Sequence, residues 1–224
     1  MSISHIPFVA VAFVTLACSQ ADAPAQVTIE TDDQKMMYAV GMGLGLQFEL
    51  AGMFSEEELA LVAEGLKDAV LRKPSVVEID DDYMQSVNQV MMGRRGGANS
   101  KLGAEYVIDA AAEDGAVQTA SGLVYVELVA GEGAAPAATD TVTVHYEGRF
   151  IDGRVFDSSI KRGEPATFTV SQVIPGWIEG LQMMKPGGKA RLVVPGMLAY
   201  GPKGYGNIPP NATLIFEVEL LKIQ

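Results

Sequence analysis

Few side chains in this sequence can move a proton or attack a bond. There are two histidines, His5 and His145, and one cysteine, Cys18. That supply gives no disulfide within one chain, no Ser/His/Asp arrangement and no metal-ligand set. Asp157, next to Phe156, is a single carboxylate, so paired acid/base chemistry has no support. What does gather is aromatic and apolar. Val173-Ile174-Pro175-Gly176-Trp177 holds the only Trp of the chain. Two further runs carry aromatics, Val142 to Gly148 with Tyr146, and Val155 to Ser159 with Phe156. A Gly/Pro-rich loop surrounds Ala199-Tyr200-Gly201. A Trp where a strand gives way to a helix lays a wide, rigid apolar floor. Taken together, these runs describe a concave apolar pocket with a few polar tips, the form of a small-ligand or peptide-side-chain site. For each aromatic, plain core packing is the competing reading.

The same residues carry a resemblance. V-x-V-H-Y-x-G, F-D-S-S, V-I-P-G-W, A-Y-G and I-P-P-N-A-T-L-I-F follow one another between about Thr119 and Gln224. In this order and spacing they resemble an FKBP-type peptidyl-prolyl cis-trans isomerase. The resemblance implies rotation about an X-Pro bond, with no cofactor and no metal. It implies that Asp157, Tyr200 and Tyr146 supply the polar groups: Asp157 beside the twisted amide and holding Tyr146, and the Tyr200 hydroxyl on a peptide carbonyl. Phe168, Val173, Trp177 and Phe216 would join Tyr146 in walling the proline ring. Phe156 would pack at one side, the Ile174 N–H would hold a second carbonyl, and Ile208 would border the entrance. Proline-containing polypeptides are the implied clients, and macrolides such as FK506 the implied ligands. A chaperone or docking module that binds extended chains without isomerising them is the alternative. His145 reads as a satisfied structural imidazole.

These groups need a scaffold, and strand signals supply one from the boundary at Thr119 to Leu123 onwards. Strands are expected at Leu123 to Val129, Thr141 to Phe150, Val155 to Asp157, Ala166 to Val170, Lys189 to Val194 and Thr213 to Lys222. Asp152-Gly153 marks a hairpin turn. A short helix is expected from Ile178 to Met183, opened by Trp177. The fold class is therefore α+β, with an FKBP-like antiparallel half-barrel wrapped on one short helix over residues 115–224.

Residues 32–114 give helical periodicity alone. Met36, Val40, Leu44 and Phe48 share a face, and Ser55-Glu56-Glu57-Glu58 is a capping box. Asp80 to Asp82 opens a third helix, in which Gly93, Gly96 and Gly97 are expected to cause a weakening or a break. Gly41-x-Gly43-x-Gly45 follows no strand and is no dinucleotide fingerprint. Short amphipathic helices of this kind bury little alone, and the simplest core for them is shared between two chains. The arrangement resembles the N-terminal domain of macrophage-infectivity-potentiator-type FKBPs, which implies an all-helical dimerisation domain, a long connecting helix and a homodimer.

The formal charge is −12, and residues 1–118 hold 18 of the 28 acidic side chains against 7 of the 16 basic ones. An acidic helical half speaks against nucleic acid as a partner. Residues 1–18 read as a signal peptide. Its apolar run, Ile6 to Ala17, ends at Thr15-Leu16-Ala17-Cys18, similar to a bacterial lipobox, although no Lys or Arg precedes it. Cys18 is then the lipidation candidate and residues 19–31 a tether. The expected location is the periplasm or the outer membrane of a bacterium, with the membrane engaged through the lipid only. Asn211-Ala212-Thr213 has the form of a glycosylation sequon, which carries no weight in a bacterial chain.

Overall fold

The computed structural model describes residues 28–224; the expected leader, Cys18 and most of the tether lie outside them. Three helices come first: α1, Asp32–Gln47; α2, Glu56–Val70; and α3, Asp81–Ala111. Then follow β1 (Ala116–Gln118), β2 (Val124–Val129), β3 (Thr141–Phe150), β4 (Val155–Ser158), α4 (Ser159–Arg162) and β5 (Ala166–Thr169). The chain closes with α5 (Pro175–Leu181), β6 (Lys189–Val194) and β7 (Leu214–Ile223). The described residues form two compact units, residues 28–44 and residues 45–224.

The strands form one antiparallel sheet in the order β1-β2-β6-β7-β3-β4. β5 pairs with Thr141 to Val144 and β4 with Glu147 to Arg149, so the two share one edge of β3. Alternation along β6 assigns the faces. Leu192 and Val194 enter the core that α5 covers, while Val193 joins Val124 and Val126 beneath Val107 and Ala110 of α3. Both faces of the central strands are covered, which is why β2 begins with three buried residues in a row and does not alternate. That double burial blurred the strand's signal in the sequence.

Several expectations change. α3 runs unbroken through Gly93, Gly96 and Gly97. At Gly93 and Gly97 a Cβ would meet nothing within 4 Å, but one on Gly96 would lie 3.3 Å from Pro210 and Asn211, and one on Gly103 would lie 2.2 Å from Thr213 Oγ1. These glycines lower helix propensity by about 1 kcal/mol each, and in exchange α3 lies flush on the loop before β7. The short helix opens at Pro175, not after it, with Ile174 as N-cap. A proline at the first helical position has no N–H to lose and its φ is already set. Two elements were not expected at all, β1 and the single turn α4. Ile208 is 6% exposed, belongs to the core cluster and forms an isolated bridge with Tyr205.

The helical half has its expected ends. The Thr31 hydroxyl accepts from Gln34 N, and the Gln34 side chain accepts from Thr31 N, a capping box. Ser55 and Glu58 form a second one. Neither α1 nor α2 contains a buried residue. α2 is fixed to α3 at one point. Arg94 grips both oxygens of Glu58, at 2.9 and 2.7 Å, and lies over the Phe54 ring.

The Arg94 hydrogen bonds, helped by the Ser55 N–H, hold the Glu58 carboxyl down at about 2 from an ordinary 4.5. A carboxyl depressed on folding stabilises the fold fully above its ordinary value, and the stabilisation is lost as pH falls through the folded value. Thermal melts of Glu58→Gln and the parent chain should therefore differ most above pH 5 and converge as pH approaches 2; a gap that stays constant would show that the pair does not hold α2.

Candidate active site

The site begins with Trp177. Ile174 O accepts from Trp177 N at 2.9 Å and from Ile178 N at 3.1 Å, which starts α5 and turns the indole beneath the sheet. The indole is 4% exposed. Three rings stand edge-on to it: Tyr146 at 5.2 Å and 88°, Phe168 at 5.7 Å and 89°, and Phe216 at 5.2 Å and 83°. Phe156 meets Phe216 in the same way at 5.6 Å and 87°. Edge-to-face contacts follow the ring quadrupole and contribute about 0.5–1.5 kcal/mol each beyond area burial. They also keep the rings from lying flat on one another, and a cavity of about 490 Å³ remains open above the indole. Val173, Ile174, Tyr200, Gln172 and Asp157 complete its lining.

Tyr146 comes from β3 and is fixed twice. Its backbone N–H donates to Ser159 Oγ at 2.8 Å, and that fully buried hydroxyl returns to Tyr146 O at 3.2 Å. Its phenol O–H donates to Asp157 Oδ2 in a short hydrogen bond. Arg162 closes the triangle. It pairs with Asp157 Oδ1, donates to the Tyr146 hydroxyl at 3.1 Å, and places its guanidinium 5.5 Å over the Tyr146 ring. α4 makes this reach possible. Ser158 caps it, accepting from Lys161 N at 3.2 Å, and Gly163 ends it with φ 81°, so Arg162 folds back on the residue that precedes the turn.

Burial pushes the Tyr146 phenol above its ordinary 10.0, and the Asp157 bond adds to this. Burial does the same to Tyr200, with Asp157 and Tyr205 contributing. Both remain O–H donors at neutral pH. Arg162 is pushed upward by its bonds to Tyr146 and Asp157 and stays charged. The Ile174 N–H bonds to no backbone carbonyl of the described chain. The cup thus presents donors and apolar walls, with no acid and base in line for a proton transfer.

The comparisons agree with this geometry. Residues 132–221 match the family model described as FKBP-type peptidyl-prolyl cis-trans isomerase. Residues 33–126 match the one described as the domain amino terminal to it. The FKBP-type isomerase FkpA of Escherichia coli strain K12 is 38% identical over 98% of this chain and 86% of its own. The chain belongs to the FKBP-type peptidyl-prolyl cis-trans isomerases. Outer membrane protein MIP of Legionella longbeachae is a further relative, 37% identical over 96% of this FKBP and 97% of itself. The crystal structure of FkpA from Escherichia coli superposes with TM-score 0.59 at 39% identity, covering 88% of this chain and 99% of that one.

Of the ten residues singled out in the isomerase half, nine line one cavity: Tyr146, Phe156, Asp157, Phe168, Val173, Ile174, Trp177, Tyr200 and Phe216. Ile208 is the exception. His145 stands outside, with Nδ1 3.1 Å from Ser159 Oγ. Arg162, Ser159 and Gln172 belong to the site or its support and were missed. The signal for Arg162 was Ser158 followed by Gly163, a one-turn helix framed by its cap and its stop.

Proposed function

We propose that this FKBP isomerises X-Pro bonds of exported polypeptides by seating the prolyl ring on Trp177, and that it works as a homodimer. The observation that carries the reading is the open, aromatic-walled cavity of about 490 Å³ with the Tyr146–Asp157–Arg162 triangle at its rim. Amide resonance sets a rotation barrier of about 18–20 kcal/mol. The uncatalysed exchange takes tens to hundreds of seconds. The planar amide is the more charge-separated form and is favoured by water. A dry cup destabilises it relative to the twisted form, and so lowers the barrier.

The residues divide the work. Trp177, Tyr146, Phe168, Val173 and Phe216 exclude water around the ring, and Phe156 closes one side. The Ile174 N–H and the Tyr200 hydroxyl hold peptide carbonyls on either side of the rotating bond. Asp157 faces the amide and fixes the Tyr146 ring, while Arg162 holds Asp157 in place. No proton changes hands, and among the described residues the cavity lining offers a single carboxylate, Asp157.

The helical residues 32–114 would carry the dimer and residues 115–224 the isomerase. Support comes from α1 and α2, which bury nothing yet expose Met36, Val40, Leu46, Leu59 and Leu66. Apolar surface of that extent on helices marks an association face. The run ending at Cys18 supports export, with the thiol as the acylated N-terminus. No helix among the described residues is long and apolar enough to cross a membrane.

A proline-tetrapeptide isomerisation assay on the full chain tests the catalytic reading. Trp177→Leu and Asp157→Ala should each lower kcat/KM by about tenfold or more while the melting transition persists; wild-type rates in both folded variants would overturn the site. Native mass spectrometry of protein extracted from the cell envelope tests the rest. Two chains are expected, each starting at Cys18 and heavier by its acyl groups. A one-chain mass would remove the dimer, and an intact Met1 start would remove the leader.

A further inference from the structure

Asn211 stands where three stretches of backbone converge. Its φ is 54°, in the left-handed region that Asn tolerates better than most side chains. Its backbone N–H donates to Gly201 O at 2.8 Å, the carbonyl just after Tyr200. Its side-chain amide donates to Gly96 O, inside α3, at 3.2 Å. Its own carbonyl lies against Gly196, where a Cβ would come within 2.5 Å of it. A second tie runs beside the first: Asn99 of α3 donates to Pro210 O at 2.9 Å. The chain from Pro195 to Pro210, which carries Tyr200, is thus pinned at Gly196 and Gly201 by one residue, and that residue is anchored to α3. Asn211 itself is not among the residues lining the cavity.

We propose that Asn211 is a positioning residue for Tyr200, and that α3 serves as the anchor of the site loop as well as a connector between domains. The proposal rests on the reading that Tyr200 holds the substrate. The choice of side chain is informative. Glycine would accept the backbone conformation but lose the bond to Gly96 O. Aspartate has nearly the shape of asparagine and tolerates the same φ, but it has no N–H to donate. Each therefore deletes the Asn211 bond to α3 while sparing the left-handed turn and the Asn99 tie. Without the link, the Tyr200 hydroxyl samples more positions, and fewer of them meet the twisted amide. The cost falls on turnover, since the ring-binding walls are untouched.

The test is a double-mutant cycle on the full chain, with kcat and KM for a proline tetrapeptide measured separately. Asn211→Gly, and independently Asn211→Asp, should lower kcat by about threefold to tenfold with KM changed by less than about twofold. In a Tyr200→Ala background the same substitutions should change kcat by less than about twofold, because the group they position is gone. Equal loss in both backgrounds, loss in KM alone, or no loss in either single variant overturns the proposal. If Tyr200→Ala alone turns over like the parent, the reading of Tyr200 fails and takes this one with it. That outcome appears in a different variant and so is told apart from failure of the Asn211 link.

Discussion

Everything at the site depends on one geometric constraint: three rings must stand on edge around one buried indole. Tyr146, Phe168 and Phe216 each meet Trp177 at close to a right angle. Had they stacked, the apolar surface would have closed on itself and left only a core. Their positions are not free. Tyr146 and Phe216 come from β3 and β7, neighbours in the sheet, and Phe168 from β5 on the far edge of β3. Trp177 is carried by α5 on the face those strands enclose. The sheet's pleat and the start of α5 at Pro175 therefore set the angle between the rings and keep a cavity of about 490 Å³ empty of protein.

A cup of this kind catalyses only if its polar groups are directed and do not react. The Tyr146–Asp157–Arg162 triangle achieves this. Asp157 is accessible enough to face an amide, yet both of its oxygens are already engaged, one by a phenol and one by a guanidinium. In the proposed reaction it would orient the amide and take no proton. Ser159, fully buried behind it, fixes the Tyr146 backbone by two hydrogen bonds. The rigidity of the rim matters for rate, because a loosely held donor loses part of its interaction with the twisted amide to motion.

The cup was largely legible in the sequence, since its members lie in short runs where type and position are both demanding. V-I-P-G-W states the helix start, its cap and its indole within five residues. The supports were less legible because their partners are close in space only. Arg162 reaches Asp157 across a one-turn helix too short to give a periodic signal. Glu49 pairs with Arg154 at 2.7 Å across 105 positions, which no local pattern announces. The α3 glycines misled for a related reason. Propensity counts what Gly96 costs the helix and is blind to Pro210 and Asn211, whose approach it allows. Ile208 is not among the residues lining the aromatic cavity; it packs in the core cluster and is bridged to Tyr205.

Trp177, being the only Trp of the chain, reports on the cup floor without any label. Its emission, followed while the full chain is titrated with a proline tetrapeptide, measures most directly whether a prolyl ring displaces water from the indole. The account predicts a saturable blue shift that an otherwise identical alanine tetrapeptide does not produce. Emission that stays flat through peptide concentrations at which isomerisation saturates would place the reacting proline elsewhere and contradict it.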